Sequence, residues 1–239
     1  MKKIAFALIT LFSGIQVAAQ ELTERVFEGT INGKIPVKLT LVSDGEVAYG
    51  SVVYTKKGVP ISVVGTLENG NFFLNELLPN GQVSGVYSGT SKADSMVGMW
   101  SAPKIDAKEL PLDLRLLQQK SVKRPALKNV AGTYAYAFGK DGSVGNMRVA
   151  QPKPGQISVS FDNVTGAPAR NQATISKTTL KVVNNQAVYS SSEFGKCKFT
   201  ITFLENGARV SYTDEAYQCG FGNAATVTGN YIRTKTNGR

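Results

Sequence analysis

The chain has no histidine, only two cysteines and a single tryptophan in 239 residues. Without imidazole there can be no Ser-His-Asp or Cys-His nucleophile, no histidine acid–base group and none of the usual zinc sites. No Walker-type or dinucleotide-type glycine loop precedes a helical stretch, so a nucleotide cofactor has no cradle. Ser101-Ala-Pro-Lys104 has Ser-x-x-Lys spacing, but Pro103 and the strand context keep the lysine from standing one helical turn above the serine. Acidic residues are scarce, 17 against 27 lysines and arginines. Glu76 and Asp113 are candidates for glycosidic cleavage, yet neither has a visible partner carboxylate. Asp44 and Asp141 stand alone, whereas calcium needs clustered oxygen ligands. The expectation is a protein that is not an enzyme and uses neither metal nor cofactor.

Two further features are missing. No segment sustains a helical period, so little helix is expected beyond the leader. No apolar run comfortably spans a bilayer. The longest, Ile4 to Ile15, follows Lys2-Lys3 and precedes the small residues Val17-Ala-Ala19. That is the three-part pattern of a secretory signal peptide over residues 1–19, cleaved after Ala19. The mature chain is expected to start at Gln20, to lack a transmembrane segment, and to reside in the periplasm or outside the cell.

Tight-turn dipeptides are abundant. Asn32-Gly33, Asp44-Gly45, Lys57-Gly58, Asn69-Gly70 and Asn80-Gly81 recur at steps of 12, 13, 12 and 11 residues. Each step holds one strand and one turn, the mark of consecutive antiparallel hairpins. Between turns the residues alternate: Val37, Leu39 and Leu41 against Lys38 and Thr40, and Leu112, Leu114 and Leu116 against Asp113 and Arg115. Strands are predicted near 25–31, 35–43, 46–55, 59–68, 71–78, 82–91, 95–101 and 109–117. An even number lets the last strand close on the first and removes both edges. Mid-strand glycines at 50, 65, 85, 89 and 98 suit the tight curvature of a small barrel. A two-sheet sandwich is the alternative. Trp100 reads as a core or barrel-end plug.

The basic stretch from Lys120 to Lys128 carries Pro125 and lacks alternation, which gives a linker over residues 119–128. The predicted layout is a first β-barrel over 20–118 and a second, barrel-like unit over 129–239. Charge divides between them. Residues 20–118 carry a net −2 and residues 119–239 a net +10. The second unit opens on Gly132-Thr-Tyr134 and closes on Gly229-Asn-Tyr231, so its first and last strands are expected to meet.

Within it, Cys197 to Phe203 alternates apolar and polar and leads to Asn206-Gly207, the preferred pair of a type I′ hairpin turn. With that pair at the tip, Phe203 faces Val210 and Ile201 faces Tyr212. Cys197 lies at the base of the hairpin and Cys219 beyond its return strand. In an oxidising compartment they are expected to pair, and closing a loop of this size is worth about 3 kcal/mol.

The ending Cys219-Gly-Phe-Gly-Asn … Gly229-Asn-Tyr231 resembles the terminal segment of small, uncharacterised exported bacterial β-barrel proteins. The rhythm Gly50-Ser-Val-Val-Tyr54, Gly85-Val-Tyr87-Ser-Gly89 and Gly98-Met-Trp100 resembles a recurring module of such proteins. A looser similarity is to periplasmic lysozyme inhibitors, through Asn206-Gly-Ala-Arg-Val210, although the serine and tyrosine of the inhibitory loop are missing.

With reaction chemistry set aside, binding remains. The first reading is recognition of anionic envelope lipid or polysaccharide by Arg148, Lys153, Arg170, Lys177 and Lys181, basic residues interleaved with strands. Nucleic acid fits the charge but not the compartment. The alternatives are a protein-partner module, such as an inhibitor of a cell-wall hydrolase, and a carrier of a small apolar ligand inside the first barrel.

Overall fold

The computed structural model describes residues 21–213 and 218–234, so the signal peptide and its cleavage after Ala19 lie outside the described residues. Among them every regular element is a strand, and the strands form two closed, eight-stranded, antiparallel barrels. The first comprises β1 Glu21–Ile31, β2 Ile35–Ser43, β3 Val47–Tyr54, β4 Pro60–Glu68, β5 Asn71–Leu77, β6 Val83–Ser91, β7 Ser95–Ser101 and β8 Leu110–Lys123. The second comprises β9 Gly132–Ala137, β10 Val144–Lys153, β11 Gln156–Val164, β12 Gln172–Val183, β13 Gln186–Ser191, β14 Cys197–Phe203, β15 Gly207–Tyr212 and β16 Gly229–Thr234. Each strand pairs with its neighbours in sequence, and β1 closes on β8 as β9 closes on β16. Among the described residues no helix is long and apolar enough to cross a membrane.

The turns behave as their sequences require. Asn32-Gly33 and Asn69-Gly70 both sit at positive φ, 55° and 63° and 50° and 75°, as a type I′ turn demands. The alternation is equally direct. Val37, Leu39, Leu41, Leu112 and Leu114 point inward and join Phe27, Val63, Leu74 and Met96 in the interior of the first barrel. Mid-strand glycines allow close contact between neighbouring strands. A Cβ on Gly65 would fall 1.9 Å from the Phe73 carbonyl oxygen.

Two expectations are corrected. The linker is shorter than residues 119–128, because β8 runs to Lys123 and pairs residue by residue with the start of β1. Gln119–Lys123 shows no alternation because this extension is largely solvated. The connecting residues are then held by amides of the second barrel: Asn185 Nδ2 donates to Pro125 O (2.7 Å), and Val130 N donates to Gln151 Oε1 (2.8 Å).

The β14–β15 hairpin is also shifted. Phe203 faces Ala208 and Ile201 faces Val210, so the turn is Glu205-Asn206, closed by Leu204 N to Gly207 O at 2.9 Å. Gly207 is therefore a strand glycine. A Cβ there would lie 2.4 Å from the Tyr231 carbonyl oxygen, a close approach to β16 that outweighs the local turn preference. The shift is by two residues, so Val210 keeps its inward face.

The barrels dock side by side. Val47, Val64, Leu77 and Val83 point out of the first barrel and complete the apolar core of the second. Beside them Arg209 Nη1 donates to Asn230 Oδ1, and Asn230 Nδ2 donates to Asn75 Oδ1, both at 2.7 Å. A guanidinium can only donate, so Arg209 sets the orientation of both amides across the contact.

Candidate functional site

The antiparallel register decides which basic side chains share a surface. Ile157, Val159 and Phe161 face the core of the second barrel, so Ser158 and Ser160 on the same strand face out. Arg148 pairs with Ser160, and Lys177 lies in the β12 irregularity opposite that serine. Lys153 pairs with Gln156, which pairs in turn with Lys181. These four basic residues therefore occupy the corners of one outer face, with Ala150, Ser158 and Thr179 between them. Ordinary strand spacing makes the face roughly 13 Å by 10 Å at the Cα positions.

All four side chains are exposed. The ion pairs among the described residues are Lys120–Glu24 and Arg124–Asp44, so none of the four is engaged in one. Asp162 is the one carboxylate on β11. The face offers positive charge with hydroxyls between, which suits an extended anion.

Arg170 is placed elsewhere. It lies in the loop after β11, where its guanidinium donates to Lys140 O at 3.5 Å. The structure thus groups four of the five sequence-predicted anion contacts and separates the fifth. The disulfide Cys197–Cys219 is present.

A second polar cluster lies inside the first barrel, around Glu76. Glu76 is 1% exposed and points inward from the end of β5. Its Oε1 accepts from Tyr54 Oη at 2.5 Å and from Tyr87 Oη. Its Oε2 accepts from Ser84 Oγ at 3.0 Å. The irregularity between β5 and β6 supplies Ser84, because Leu77 pairs with Val83 and Glu76 with Gly85. Gly85 makes the room: a Cβ there would stand 2.4 Å from Trp100 Nε1 and 2.8 Å from Glu76 Oε2.

Trp100 thus packs at the barrel end, its buried N–H beside Tyr54. Burial first, and the Glu76 charge second, push the Tyr54 and Tyr87 phenols well above their ordinary value. Both therefore stay protonated and act as donors at neutral pH. Asp113, the other carboxylate considered from sequence, is exposed on the outer side of β8, so the two do not face a common space. The Glu76 cluster ties β3, β5 and β6 together. Tyr54, Tyr87 and Ser84 carried no signal in sequence beyond their strand positions, because their convergence depends on barrel closure.

No group of three or more carboxylate, cysteine or histidine side chains is placed to hold a metal ion among the described residues. Comparison with protein-family models, with curated proteins and with solved structures finds no match to this chain.

Proposed function

We propose that this protein is a non-catalytic, exported binding protein that recognises anionic envelope material, polysaccharide or lipid headgroup, through the outer face of β10–β11–β12. The observation that carries this reading is the gathering of Arg148, Lys153, Lys177 and Lys181 on one sheet face, none in an ion pair among the described residues. Because paired strands already fix the backbone, only the side chains remain to be ordered when a repeating anion lies across them. Such binding is electrostatic and weakens as added salt shortens the screening length.

The test is calorimetric titration of the purified protein with a soluble acidic polysaccharide at low and high salt. The variant R148Q/K153Q/K177Q/K181Q is titrated in parallel. The expected result is binding that falls with salt and drops more than tenfold in the variant. Salt-independent binding, or a variant that binds like the parent, defeats the reading.

A further inference from the structure

The first barrel is electrically polarised along its axis, which its net charge conceals. In an up-and-down barrel alternate turns lie at the same end, so the turns after β1, β3 and β7 share one mouth. Because β8, β1, β2, β3 and β4 are consecutive around the wall, these three turns are neighbours. Asn32 N donates to Pro111 O at 2.6 Å, and Thr55 N to Pro36 O at 3.0 Å. They carry Lys34, Lys56, Lys57, Lys104 and Lys108, all exposed, against Asp106 and Glu109. None of these lysines belongs to an ion pair of the described residues.

Among the lysines stand three apolar tips: Ile35, Val59 and Ile105, exposed by 41%, 64% and 84%. A lone exposed aliphatic is ordinary, but three on adjacent turns inside a lysine ring form a patch. The opposite mouth is an internal control. Its three turns carry Asp44, Glu46, Glu68 and Asp94 against Lys92, with Asp44 paired to Arg124 and Glu24 to Lys120 at the end of β8, so it has no excess of positive charge, and those turns carry no large exposed apolar side chain. The fourth turn of the basic mouth, 78–82, is held by the second barrel through Ala137 N to Gly81 O at 2.9 Å, which bounds the patch on that side.

We propose that this mouth docks on an anionic lipid bilayer. The three aliphatic tips enter the headgroup–acyl boundary while the lysine ammonium groups stay at headgroup level. Charge complementarity selects the occupant: each lysine close to an anionic leaflet contributes about fivefold in affinity, and an acyl boundary accepts side chains that water disfavours. The proposal shares with the functional reading the premise of an anionic envelope partner, but it uses a different surface.

The experiment is co-sedimentation with vesicles of phosphatidylglycerol mixed into phosphatidylcholine, and with pure phosphatidylcholine. The protein is compared with I35S/V59S/I105S, with K34Q/K56Q/K57Q/K104Q/K108Q and with R148Q/K153Q/K177Q/K181Q. Binding to the anionic vesicles only is expected, reduced at least tenfold by the tip variant and well over a hundredfold by the mouth-lysine variant. The tip and mouth-lysine variants should lose vesicle binding while keeping the soluble polysaccharide, which the sheet-face variant loses; this separates the proposal from the functional reading. Absence of vesicle binding, equal binding to phosphatidylcholine, or a tip variant that binds like the parent overturns it. A parent that self-associates through the tips, with no lipid bound, overturns it as well. All three tips are exposed, so their replacement should leave the far-ultraviolet circular dichroism unchanged.

Discussion

Tyr87 in the first barrel and Tyr134 and Tyr231 in the second end the same five-residue pattern, Val-x-Gly-x-Tyr, and solve one problem in two ways. Each phenol is buried and needs an acceptor. In the second barrel Tyr134 Oη donates to Val130 O and Tyr231 Oη to Val227 O, both at 2.7 Å, reaching back four residues along its own chain. Val130 and Val227 lie outside strands, where a carbonyl is not committed to a ladder. Val83 lies inside β6, opposite Leu77, so Tyr87 turns instead to the Glu76 carboxylate. The same local pattern therefore closes one barrel through backbone and the other through a buried charge. The barrels differ in covalent support as well, since the disulfide belongs to the second.

Alkaline pH should separate them most strongly. A phenol whose folded pKa lies above its unfolded value near 10 contributes stability that is full below about pH 10 and is lost as pH rises toward the folded value. Burial pushes Tyr134 and Tyr136 up to about 12, so their contribution is lost between about pH 10 and 12, at about 2 kcal/mol each. In the first barrel the Glu76 charge adds to burial, so Tyr54 and Tyr87 should ionise after Tyr134 and Tyr136. Ultraviolet absorbance of tyrosinate, followed with circular dichroism, reads both. Second-barrel phenols that ionise near pH 10 without unfolding would contradict this picture.

Replacing the hub comes next. Glu76→Leu strands three donors in an apolar interior and is expected to cost about 3–5 kcal/mol. Glu76→Gln keeps an acceptor oxygen and should cost about half as much. Urea unfolding measures both, and a leucine variant within 1 kcal/mol of the parent would mean that the cluster is energetically idle (about one neutral hydrogen bond,). Removing the disulfide as C197S/C219S should lower stability by about 3 kcal/mol. That loss should appear in the signals of the second barrel, whereas Trp100 reports the first. A drop confined to Trp100 fluorescence would reverse the assignment.

The smallest effects compare the tyrosines directly. Tyr87→Phe removes a donor from a carboxylate and should cost about 2 kcal/mol. Tyr231→Phe removes one from a carbonyl and should cost about 1 kcal/mol, since Asn163 Nδ2 keeps its bond to Thr226 O at 2.8 Å. Equal costs would show that charge adds nothing to the first barrel's arrangement.

The limits of local reading show at particular residues. Asn32-Gly33 became a type I′ turn because nothing crowds Gly33: a Cβ on it would meet no atom within 4 Å. Asn206-Gly207 has the same local preference but did not, because β16 approaches Gly207 too closely for anything except a strand glycine. Gln119–Lys123 read as linker because an exposed strand extension has no apolar beat, and only its pairing with Glu21–Arg25 identifies it. The five predicted anion contacts were chosen for charge and strand context. Four share a face because β10, β11 and β12 are adjacent in a given register, and Arg170 falls outside because it lies in a loop.

Sequence by itself determined the strands, most of their turns, the even strand number of the first barrel and the pairing of the two cysteines. These rest on side-chain period and turn preference, which act over a few residues. Tertiary structure decided what stands beside what: Glu76 among Tyr54, Tyr87 and Ser84, Asn75 against Asn230, four basic residues on one face, and five lysines with three aliphatic tips around one mouth. Those neighbours come from strands far apart in the chain, and only closure of each sheet and the docking of one barrel on the other bring them within contact distance.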